Sequence, residues 1–95
     1  ALASEIRLQV ATHKQEMRTW LTQNASIRNE LLPLAQKTSA DLETAYKNGQ
    51  GDFTSLLKSK NQELQLQTSL INNNLNFHQA RVKYFAALGK STSAF

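Results

Sequence analysis

The sequence predicts an all-α fold, a long antiparallel α-helical hairpin of the coiled-coil kind. Three observations predict it. Apolar residues recur at helical spacings on both halves of the chain. Only three glycines and one proline punctuate the 95 residues, too few for the turns of a sandwich or a barrel. Two of those glycines, Gly49 and Gly51, fall together near the midpoint, where one helical pattern ends and another begins. The expected organisation is a single hairpin over residues 1–95, with a helix over about 3–47, a tip over about 48–52 and a second helix over about 53–89.

The first arm carries a heptad register. Ile6, His13, Trp20, Ile27, Leu34 and Asp41 form one set, and Val10, Met17, Asn24, Leu31, Thr38 and Ala45 the other. Leu8, Leu21, Leu32 and Leu42 lie beside this seam and widen it, as a helix with more than one neighbour requires. Pro33 removes a backbone donor and clashes with the carbonyl four residues back. Either it opens a new helix after a loop near Asn29, or it bends one continuous helix. The heptad phase read through Ile27, Leu31 and Leu34 favours the bend.

At the tip, Gly49 can take positive φ and end the first helix, and Asp52 can cap the second. The second arm then places Leu56, Leu57, Leu64, Leu70, Ile71, Leu75, Val82, Phe85 and Leu88 on one face, with Leu66, Phe77 and Tyr84 adding a second. Gly89 fits a C-cap, and the polar tail from Lys90 to Phe95 is expected to fray. Two helices bury little surface by themselves, so the chain is expected to associate into a bundle of four or more helices.

Composition narrows the function classes. The net charge is +4, but the basic residues are scattered and not interleaved with aromatics, which argues against a nucleic-acid interface. The absence of cysteine excludes a disulfide framework and a thiolate metal site. No apolar run reaches the ~18 residues of a membrane-spanning helix, and residues 1–12 lack a signal-peptide pattern. The chain opens in helical register at Ala1-Leu2-Ala3 and closes soon after Gly89, which reads as a segment of a larger protein.

No catalytic constellation is present. The seven carboxylates form no pair placed for acid–base work, and the glycines do not follow a strand as a phosphate loop demands. His13 and His78 stand at heptad-like positions, where an interface histidine is the plain reading; Glu16 is the nearest candidate co-ligand to His13. A metal-binding bundle would need the two histidines to converge. No enzyme activity, cofactor or metal is expected. Asn72-Asn73-Asn74 reads as a solvent-facing amide stretch or as the lining of a water-filled channel.

The tip and the second arm carry a family resemblance. The chain reads Ala45-Tyr46-Lys47-Asn48-Gly49, then Phe53-Thr54-Ser55-Leu56-Leu57, and closes with Ala80-Arg81-Val82-Lys83-Tyr84-Phe85-Ala86-Ala87-Leu88-Gly89. This order resembles the repeat segment of TolC-family outer membrane efflux proteins: Ala/Gly-Tyr-x-x-Gly, a short tip, Leu-Leu, then heptads ending in Tyr-x-x-Ala-x-x-x-Leu-Gly, the last of which this chain matches as Tyr84-x-x-Ala87 with Leu88-Gly89 following directly. Upstream, Leu32-Pro33-Leu34-Ala35 resembles the Leu-Pro-x-Ala element of the heavy-metal (cobalt–zinc–cadmium type) branch. The likeness covers about residues 28–90.

That resemblance implies one hairpin of a periplasmic α-barrel in a trimeric outer-membrane duct of a Gram-negative bacterium. The tip would face a periplasmic adaptor and an inner-membrane pump, and the duct would pass what the pump exports, heavy-metal ions being the candidate substrate. By position, Tyr46, Gly49, Gln50, Gly51, Asp52 and Phe53 would form the tip, and Ser55, Leu56 and Leu57 would begin the helix that the adaptor contacts. Some family members carry acidic rings just after the tip. Ser55 and Lys58 stand there in this chain, so no such ring carries over, and Asp52 is the one tip acid. The alternative reading is a stand-alone coiled-coil interaction and oligomerisation module.

Overall fold

The computed structural model describes the backbone of residues 2–94 and the side chains of residues 2–90. The protein is all-α, an antiparallel helical hairpin. The first arm is α1 (Leu2–Ser26), a π-helical turn (Ile27–Leu31) and α2 (Leu32–Lys47), without a break between them; the second arm is α3 (Phe53–Ala94). Among the described residues no helix is long and apolar enough to cross a membrane.

By internal contacts the chain falls into two units. The first joins α1 as far as Gln23 to α3 from Asn72 onward. Its inward faces carry Ile6, Val10, His13, Met17 and Trp20 on α1, and Asn73, Phe77, Ala80, Tyr84 and Ala87 on α3. The Asn73 Nδ2 donates to Gln23 Oε1 at 3.4 Å across this pair. The second unit is Asn24–Ile71 and contains the tip. Its seam carries Asn24, Ile27, Leu32, Ala35, Ser39 and Leu42 on the first arm and Leu56, Ser59, Glu63, Leu66 and Leu70 on α3. The Asn24 Nδ2 donates to the Leu70 carbonyl at 3.5 Å. Small residues at these seams let the two backbones approach closely, and burying so many of them leaves a core poor in apolar volume.

The π-helical turn changes the register expected from sequence. The Leu32 N–H donates to the Ile27 carbonyl, one residue farther than in an α-helix. That turn therefore holds one extra residue, and the seam steps forward by one position. Leu31 and Leu34, expected inside, are exposed, Leu34 by 63%. Thr38 and Asp41 are exposed as well, and Leu32, Ala35, Ser39 and Leu42 take their places. The widened turn also explains how the arm tolerates its proline. Pro33 falls in the first turn of α2, where a missing N–H and a fixed φ cost least. The arm thus runs on through Pro33 without the loop considered near Asn29, but its heptad phase does not survive.

Two corrections concern α3. Its inward face is the three-four repeat Leu56, Ser59, Glu63, Leu66, Leu70, Asn73, Phe77, Ala80, Tyr84 and Ala87. Leu57, Leu64, Ile71, Leu75, Val82 and Phe85, expected on the packed face, are exposed. The helix is apolar on two sides, and the more apolar side is not the one that meets the first arm. Gly89 does not end the helix: the backbone of α3 continues through it to Ala94, and of the tail expected to fray, Phe95 and the side chains of residues 91–94 lie outside what the structure describes. A helix needs no glycine stop where nothing opposes continuation, and a β-carbon at Gly89 would meet only open space. Within the amide run, Asn73 is buried while Asn72 and Asn74 are exposed.

Candidate functional site

The candidate site is the connection between α2 and α3. It closes by local chemistry at both ends. Asn48 leaves the helix at φ −88° and ψ 6°, and Gly49 takes φ 75°, the left-handed conformation that a side chain resists. The Gly49 N–H then donates to the Tyr46 carbonyl at 3.1 Å, and the Gln50 N–H to the Ala45 carbonyl at 2.8 Å. This pair of reversed bonds is the Schellman closure, which satisfies carbonyls that the helix end leaves open.

Gly51 answers to a different constraint. A β-carbon there would lie 2.7 Å from the Tyr46 nitrogen and 3.0 Å from the Tyr46 α-carbon. The chain folds back onto the end of α2 at a distance that only glycine permits. Asp52 then caps α3. Its Oδ1 accepts from the Thr54 N–H at 3.2 Å, its Oδ2 accepts from the Ser55 hydroxyl at 3.0 Å, and its carbonyl accepts from the Leu56 N–H at 3.1 Å. The Ser55 hydroxyl and the Thr54 N–H hold the Asp52 carboxyl below its ordinary value, and the Lys58 ammonium adds to this.

These caps set an apolar surface at the turn. Tyr46, at the end of α2, and Phe53, at the start of α3, bring their rings to 5.7 Å at 51°. Both are exposed, Phe53 by 57%, and Leu57 one turn later is exposed too. Leu56 faces the seam, and Ser55 is half-buried and engaged with Asp52. Of the nine residues singled out from sequence, Tyr46, Phe53 and Leu57 therefore form the accessible apolar surface. Gly49, Gly51, Asp52 and Ser55 build the turn that presents it, Gln50 contributes a backbone bond, and Leu56 anchors the helix inward.

A charged brace lies just behind the turn, and sequence reasoning missed it. Lys47 and Lys60 approach Glu43 at 3.4 and 3.5 Å, and Lys60 also reaches Glu63 at 3.9 Å. Hydrogen bonding and charge from Lys47 hold the Glu43 carboxyl below its ordinary value, with Lys60 adding to the effect. The four-residue spacing of Glu43 and Lys47 was a readable signal; the cross-arm partner Lys60 was not.

No described group of three or more His, Asp or Glu residues is placed to hold a metal. His13 lies half-buried with its Nδ1 3.3 Å from Glu16 Oε2, while His78 is exposed on α3 beside Phe77. The chain matches no family model, no curated protein and no solved structure.

Proposed function

We propose that this chain is a periplasmic hairpin of a TolC-like outer-membrane efflux duct, and that its tip docks a periplasmic adaptor. In this reading the duct is trimeric and passive. An inner-membrane pump supplies the energy, and heavy-metal ions are the candidate cargo on the strength of Leu32-Pro33-Leu34-Ala35. The observation that carries the reading is the tip. The connection itself, residues 48–52, is polar, as helix connections ordinarily are; it is closed by caps on both sides, and the helix ends that flank it offer Tyr46, Phe53 and Leu57 to solvent. Exposed apolar groups beside a fixed turn suit a binding role better than a mere reversal of direction. The second apolar side of α3 also suits a barrel wall, where each helix has neighbours on two sides.

The test is export by the full-length protein carrying Phe53→Asp or Leu57→Asp. Both side chains are exposed, so trimer assembly and outer-membrane level should hold while export falls at least tenfold. Unchanged export at unchanged protein level would reject the docking role and favour a stand-alone interaction module.

A further inference from the structure

The first unit, which joins the start of α1 to the end of α3, holds a hollow of about 320 Å³ between the two arms. Glu16 and Trp20 line it from α1, and Asn76, Gln79, Ala80 and Lys83 from α3. Each set falls on one face of its helix, because residues three, four and seven apart stack above one another. Ala80 leaves the room. It stands on the seam, 3% exposed, with a side chain too short to fill the space before Trp20. The size is at the low end of small-molecule pockets.

The order of groups along the hollow follows from the antiparallel arms. Asn73 bonds to Gln23 across the pair. At a rise of about 1.5 Å per residue on both arms, Trp20 stands level with Asn76 and Glu16 with Ala80, and Lys83 lies about one turn beyond Glu16. The groups therefore run indole, carboxylate, ammonium. Among the described residues Lys83 makes no ion pair. The Trp20 N–H and the Asn76 and Gln79 amides make no hydrogen bond there either. Glu16 commits only its Oε2, to His13 Nδ1 at 3.3 Å, which leaves Oε1 open.

We propose that this hollow binds a free α-amino acid with an apolar side chain. The ligand's ammonium donates to Glu16, its carboxylate accepts from Lys83, and its side chain lies against the Trp20 ring. Charge decides the class. A ligand that is only cationic is repelled by Lys83, and one that is only anionic is repelled by Glu16. A ligand carrying both charges on neighbouring atoms pairs with each. The half-buried indole gives the apolar side chain a surface, and the Asn76 and Gln79 amides add donors and acceptors beside it. Lys83 and Gln79 are exposed, so the pairing has the strength of partly exposed charges and the binding is of millimolar order. The hollow is remote in sequence from residues 46–57, and the proposal stands whether or not the tip docks an adaptor.

Trp20 is the only tryptophan of the chain, so its fluorescence reads the hollow directly. The probe is L-leucine, titrated from micromolar to tens of millimolar into the full 95-residue chain at about pH 6.5, where an α-amino group is charged. Leucinamide keeps the ammonium without the carboxylate, and isocaproate keeps the carboxylate without the ammonium. Leucine should give a saturable change, and each control should bind at least about threefold more weakly, the scale of one partly exposed ion pair. Glu16→Gln and Lys83→Gln should each weaken leucine by a similar factor, while Lys37→Gln, outside the hollow, should leave it unchanged. Circular dichroism checks helicity, and the ligand series needs no variant, so it decides the matter if one fails to fold. No saturable response to leucine overturns the proposal. So does leucinamide or isocaproate binding as tightly as leucine, because one charge would then suffice.

Discussion

The Gly51 α-carbon and the Tyr46 backbone approach so closely that a β-carbon on residue 51 would sit 2.7 Å from the Tyr46 nitrogen. At Gly49 the limit is conformational, since φ is 75° and the space around it is open. The two glycines should therefore respond differently. Gly49→Ala should cost about 1 kcal/mol, and Gly49→Asn less. Gly51→Ala should cost more, toward the upper end of about 1–3 kcal/mol, because backbone atoms cannot step aside as a side chain can. Urea denaturation of the three variants measures both effects, and equal costs for the two alanine changes would contradict this view of the turn.

The seam step at the π-helical turn gives a second prediction. Leu32 and Leu42 are half-buried, while Leu31 and Leu34 are exposed. Leu31→Ala and Leu34→Ala should each change stability by no more than about 0.5 kcal/mol. Leu32→Ala should cost about 2 kcal/mol or more. A larger loss at Leu34 than at Leu32 would restore the unbroken heptad and remove the extra residue from the turn.

Ser39 gives a third. It is 1% exposed, and its Oγ finds no partner among the described protein atoms. Burying an unsatisfied hydroxyl costs about 1–3 kcal/mol, so Ser39→Ala should raise the urea midpoint by the equivalent of about 1 kcal/mol. Unchanged or lower stability would show that the hydroxyl is satisfied in solution.

The sequence patterns that proved readable were local. Asp52 announces a cap by residue type, and Gly49 announces a left-handed turn, because both effects act within a few residues. The constraint on Gly51 arises from backbone five residues back, brought near only by the fold of the turn. The inward face of α3 was hidden for another reason. Ser59, Asn73, Ala80 and Ala87 pack where the helices approach closely, and leucines crowd a different side. Hydrophobicity marks burial only where one face must be buried, and α3 is apolar on two. Pro33 signalled a disturbance, but the pattern of leucines across it suggested unbroken phase while the backbone gained a residue. At the candidate site, the apolar character of Tyr46, Phe53 and Leu57 was legible, and the inward turn of Leu56 was not.

Acid should loosen the tip. Asp52 and Glu43 both have carboxyls held below their ordinary values of 3.8 and 4.5. A carboxyl lowered in the folded state contributes stability that is fully present above its unfolded value and is lost as pH falls through the folded one. Stability should therefore be flat above about pH 5.5 and decline below pH 4.5. Asp52→Asn keeps a capping oxygen but cannot titrate, so it should flatten the Asp52 share of that decline while leaving the helix start intact. Stability that rises on acidification through this range would reverse the sign and contradict both contacts.

The most direct test of the tip as a docking surface is site-specific photo-crosslinking in cells that carry the full-length protein. A photoreactive residue at Phe53 should capture a periplasmic adaptor protein, and the same residue at Leu8, an exposed leucine on α1, should not. Adaptor adducts confined to position 53 are the predicted result. Their absence at position 53 in a protein that still exports would contradict the account.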